Sequence, residues 1–178
     1  PTVALAWGSV FSALEVVPLI LVAYPALEDL RMSKATPWVQ KYKWPIYFFV
    51  SVAFWNMIGA GLFGFMINPP IALYYMQGLN TTPLHAHAAL FGVYGMLGIG
   101  LMLMCLRALL PDLVWKEGMI KFAFWAMNIG LMAMCILSLL PVGLMQTWAS
   151  VDVGYWYARS PEFMHTDIMQ TLRWLRVP

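Results

Sequence analysis

The chain has 178 residues, 62% hydrophobic and 15% aromatic with only 10% charged, far from the roughly 45–50% apolar and 25% charged of soluble domains. That composition excludes an ordinary water-soluble domain and predicts an all-α, multi-pass transmembrane helical bundle. The formal net charge of +2 gives no basis for nucleic-acid binding, and the placement of the charges carries more information than their sum.

Four runs reach the roughly 20 residues of helix that cross a ~30 Å hydrocarbon core: 3–24, 45–67, 83–106 and 120–145. The first has no basic segment before it and no small-residue cleavage site after it, so it is not a signal peptide. A chain that starts at Pro1, almost inside a span, and stops at Pro178 reads as one transmembrane unit, 1–178, of a longer membrane protein.

Near the middle of the first span stands Glu15. A carboxylate at the bilayer centre costs about 2.5–3.5 kcal/mol on insertion scales, so such residues face protein or water and mark ion or proton routes. Burial favours the protonated form, which suits a group that takes up and releases protons. Pro18 removes the donor that the Leu14 carbonyl would use, which leaves a polar gap beside Glu15 and Ser12. A carboxyl hydrogen-bonded between helices is the alternative.

After this span, Pro25, Glu28, Asp29 and Pro37 predict a polar loop, with Arg31, Lys34, Lys41 and Lys43 around it. The second span carries Gly59, Ala60, Gly61 and Gly64, small residues that let helices pack closely in lipid, and a mid-span amide, Asn56. The following connection, 68–83, is proline-rich and uncharged; Thr82 fits as the N-cap of the third helix and Pro83 as its first residue.

That helix opens with His85 and His87. At 3.6 residues per turn the two imidazoles point about 160° apart and cannot chelate one metal. Helical zinc sites use i and i+4, whereas an i, i+2 pair serves two sites on opposite flanks. Neutral imidazole is a common axial ligand of haem iron, and Ala86, Ala88, Ala89, Gly92, Gly95, Gly98 and Gly100 would let a flat macrocycle approach the backbone. Two interfacial histidines bound to neighbours or headgroups are the alternative.

Arg107, Lys116 and Lys121 lie between the third and fourth spans. Basic residues collect in cytoplasmic loops, so the first and third connections belong inside and the His85 end of the third helix outside. Asn128 reads as an interhelical hydrogen-bonding amide, and Cys105 and Cys135 as inert thiols in apolar helix. Ser160-Pro161-Glu162 predicts the start of an amphipathic helix over 161–176, with Phe163, Met164, Ile168, Leu172 and Leu175 on its membrane-facing side; His165 reads as a surface histidine.

With these residues in view, GSVFSALE at 8–15, TTPLHAHAALFGVYGM at 81–96 and LRWLRVP at 172–178 together resemble the catalytic subunit of bacterial nitric oxide reductases, and the middle motif resembles the single-chain, quinol-dependent branch. The resemblance implies a haem-copper oxidase superfamily member of the bacterial inner membrane that reduces two NO to N2O and water with electrons from quinol. It implies His85 as proximal ligand of haem b3, His87 as a ligand of haem b, and Glu15 near a non-haem iron whose own ligands lie in other helices of the parent chain. The 178 residues alone would then be inactive. A cytochrome c-dependent reductase, an oxygen-reducing haem-copper oxidase, and a membrane transporter or scaffold remain the rival readings.

Overall fold

The computed structural model describes residues 2–33 and 36–176. Lys34, one of the charges that set the expected orientation, lies outside them, as do Val177 and Pro178 of the C-terminal motif. Among the described residues every regular element is helical. Four helices are long and apolar enough to cross a membrane, Val3–Leu21, Lys43–Ile67, Thr81–Leu109 and Glu117–Asp152, and neighbouring spans run antiparallel. The start of the second packs on the end of the third, and the start of the third on the end of the fourth.

Four expectations need correction. The helix after Glu15 runs unbroken over Val16–Ser33, so the polar stretch holding Pro25, Glu28 and Asp29 is helix rather than loop; beyond the hydrocarbon, charged side chains are no obstacle to a helix. The fourth span continues past 145 to Asp152, because Gln146, Ala149 and Ser150 are buried by protein rather than by lipid. The third helix starts at Thr81 with Asn80 in the N-cap position; Thr82 lies inside it, and its hydroxyl accepts from the Gly78 N–H at 3.1 Å. Finally, 161–176 is two short helices, Pro161–Met164 and Asp167–Trp174. The first is capped as expected, with Ser160 Oγ accepting from Phe163 N at 3.3 Å. The second buries Met169 against the fourth span and leaves Ile168 and Leu175 exposed.

Three π-helical segments interrupt the second, third and fourth spans, at Asn56–Phe63, Leu90–Gly95 and Met134–Leu139. Such wide turns shift the angular register of everything beyond them and favour functional sites. All three touch the segment Thr81–Ala89 that carries the histidines.

The small residues act mostly in helix–helix contact. A Cβ on Gly59 would stand 2.7 Å from the Ala88 carbonyl carbon, one on Gly92 2.5 Å from Trp55 Cγ, and one on Gly100 2.8 Å from Phe49 Cε1. The room imagined for a macrocycle along the third helix is therefore filled at these positions by the second span, whereas Gly98 faces open space. Trp55 and Leu84 anchor one buried cluster, and Trp44, Phe48, Met96 and Phe124 a second. Asn128 does what its mid-span position suggested: its Oδ1 accepts from Ser51 Oγ at 2.6 Å and Trp55 Nε1 at 2.9 Å, and its Nδ2 donates to the Phe124 carbonyl at 2.8 Å. Both cysteines are free thiols, Cys135 buried and Cys105 exposed.

Candidate functional site

The two histidines take different flanks of one helix, as the 100° step requires. His85 is half-buried and turned toward the second span, where its Nδ1 lies 2.7 Å from the Gly59 carbonyl oxygen. His87 is exposed, and its Nδ1 lies 2.8 Å from the carbonyl oxygen of Pro83, one turn back on its own helix. A carbonyl only accepts, so Nδ1 carries the proton in both rings, and in the neutral imidazole Nε2 keeps its lone pair. Metal-binding histidines are oriented in this way by a partner on the second nitrogen. The Pro83 carbonyl is adjacent in the helix and nearly guaranteed. The Gly59 carbonyl depends on how two spans pack, and a Cβ on Gly64 would lie 3.3 Å from His85 Cε1, so that ring sits in a slot of glycines.

The start of the histidine helix is pinned by a residue the sequence did not single out. The Gln146 side chain, 3% exposed, accepts from Asn80 N at 2.9 Å and Asn80 Nδ2 at 2.7 Å through Oε1. Its Nε2 donates to the Ala158 carbonyl at 3.0 Å and contacts Met164 Sδ at 3.1 Å. Both donors and both lone pairs are thus used, which explains how an amide is buried there. On the other side of Asn80, Oδ1 accepts from an Arg176 guanidinium nitrogen at 3.3 Å, while Arg176 Nε donates to buried Ser138 Oγ at 3.0 Å. Burial, and then the positive charge of Arg173, lower the Arg176 pKa from its ordinary value. A glutamine one residue beyond the expected end of the fourth span was the available signal. Gln146→Leu would strand the Asn80 donors and the Ala158 carbonyl, and the expected loss is about 3 kcal/mol, read as a lowered thermal midpoint in detergent.

Glu15 occupies the break between helices Thr2–Leu14 and Val16–Ser33, and its N–H reaches the Ser12 carbonyl at 3.3 Å. The gap opposite Pro18 is where it was expected, but Glu15 is exposed on the outside of the four spans instead of buried between them. His165 is also at the surface, beside a cavity of about 400 Å³ that Arg173 and Arg176 help to line. Among the described residues no three His, Cys, Asp or Glu side chains converge as a metal site.

The whole chain, residues 1–178, matches the family described as cytochrome c and quinol oxidase polypeptide I. The chain belongs to that family. Its haem-copper oxidase members imply haem, and the donor set here fits one: each imidazole has Nδ1 committed to a carbonyl and Nε2 available as an axial ligand. The chain is also 36% identical, over 98 residues, to a nitric oxide reductase subunit from Stutzerimonas stutzeri. That alignment takes in 54% of the chain and 20% of the relative, so the chain spans about a fifth of the length of the relative it matches. Membership of this family agrees with the four apolar helices in making the chain part of a multi-pass membrane protein.

Proposed function

We propose that the chain is part of the catalytic subunit of a bacterial inner-membrane nitric oxide reductase, in which His85 ligates the high-spin haem b3 and His87 the low-spin haem b. The observation that carries this reading is the pair of Nδ1 hydrogen bonds, which leave Nε2 free on two flanks of one helix. When bound, the haems supply one-electron transfer and the site of NO reduction. The residues of this chain do the positioning: Asn80 and Gln146 hold the start of the helix, and Ala86 is the only residue between the two ligands. Glu15, in its helix break, would hold a proton at its carboxyl for the reaction, and a non-haem iron, if bound, would take its ligands from other helices of the parent chain. Quinol is the proposed electron donor, on the quinol-branch character of TTPLHAHAALFGVYGM, with a cytochrome c-dependent reductase as the second reading.

Pyridine haemochrome analysis of the full-length protein, with iron and copper determination, tests this directly. The expected result is b-type haem, iron in excess of haem and no stoichiometric copper. Absence of b-type haem would sink the reductase reading, and stoichiometric copper would replace it with an oxygen-reducing oxidase.

A further inference from the structure

At the end of the bundle opposite the histidines, a cavity of about 430 Å³ is lined by Lys43, Trp44, Glu117 and Lys121. Two lysines face a single carboxylate there, and neither lysine is ion-paired among the described residues. The Lys43 Nζ lies over the Trp44 ring, 5.4 Å from its centroid. A second cavity adjoins the first. Tyr47, Phe124 and Trp125 line both, and the second, of about 710 Å³, runs along the second and fourth spans. The walls of that groove are almost wholly apolar, with Phe54, Ile129 and Ile136 among them. Ser51 and Asn128, which also line it, are hydrogen-bonded to each other and to Trp55.

We propose that these two adjoining cavities together bind an anionic glycerophospholipid of the cytoplasmic leaflet, its phosphate between Lys43 and Lys121 and an acyl chain laid past Tyr47 and Phe124 along the apolar groove. Charge complementarity selects the headgroup, since two lysines beside one carboxylate favour a phosphate. Basic pockets between transmembrane helices on the cytoplasmic side bind such headgroups, and the positive-inside distribution places this end of the bundle on that side. A groove walled almost wholly by apolar side chains, with Ser51 and Asn128 bonded to each other, favours a hydrocarbon chain over a polar ligand.

The test is lipid retention by the full-length protein in detergent, loaded with equimolar phosphatidylglycerol and phosphatidylcholine of the same acyl chains, washed, and analysed by mass spectrometry. The expected result is roughly tenfold preferential retention of phosphatidylglycerol, given two lysines near the phosphate. Lys43→Gln combined with Lys121→Gln should bring the ratio close to one, and high salt should do the same to the unaltered protein, which keeps the test valid if the double variant misfolds. Ala133→Trp, which fills the groove, should lower retention of both lipids. Retention of neither lipid by the unaltered protein, as when a further helix of the longer chain occupies the groove, would overturn the proposal. So would equal retention of the two lipids, or a preference that survives both the lysine substitutions and high salt.

Discussion

Replacing His87 by glycine in the full-length protein is expected to abolish the low-spin haem signal and spare the high-spin one, and His85→Gly to do the reverse. The imidazoles leave the helix on opposite flanks, so neither can substitute for the other without rotating the helix by nearly half a turn. Rotation is blocked by Ala88, fully buried against Gly59, and by Trp55 filling the Gly92 notch. Removing an outer partner of a metal-bound histidine costs about 10–100-fold in affinity, and removing the ligand itself costs more, so each variant should lose its haem at stoichiometric level. Optical and electron paramagnetic resonance spectra of the two variants separate the cases. Added imidazole should restore the missing signal in each, since a glycine leaves space for the ring. Loss of the same haem from both variants would contradict the division of roles.

Gly92→Ala should be severely destabilising although it adds a single methyl group and raises helix propensity. That methyl would stand 2.5 Å from Trp55 Cγ and 2.6 Å from its Cβ. Trp55 has no exposed surface, and its Nε1 is tied to Asn128 Oδ1 at 2.9 Å, so the indole cannot swing aside without abandoning a mid-span hydrogen bond. Overpacking of a rigid contact costs about 1–3 kcal/mol, and the lost bond adds to it. Gly98→Ala is the matched control, further along the same helix with nothing within 4 Å of the added carbon. Its expected change is within about 0.5 kcal/mol of neutral. Thermal unfolding in detergent should place Gly92→Ala well below the unaltered protein and Gly98→Ala beside it; equal midpoints for the two would mean that the third helix is free to move away from the second.

Long apolar runs located the spans because each run has to satisfy its own backbone in lipid, which leaves helix as the available structure. The ends were less legible. Hydropathy closed the fourth span near 145, where Gln146 begins a polar face that other protein segments, not water, cover. The surface helix was read from its 3.6-residue period, which does not register that His165 and Thr166 turn the chain between two short helices. The π segments were invisible, since one wide turn inserted in a uniformly apolar span leaves no compositional mark.

By itself the sequence determined the number of spans, their helical state, and the separation of His85 from His87 onto opposite flanks, because these follow from hydrophobic length and the fixed step of the α-helix. Only the tertiary structure decided that the Gly59 carbonyl sets the His85 tautomer, that Gln146 and Arg176 hold Asn80, and that Glu15 faces outward from these four spans. Each of those depends on which helix lies beside which, over separations of 26 residues for His85 and Gly59 and 66 for Asn80 and Gln146. Contacts at that range are set by packing between helices, which no local pattern encodes.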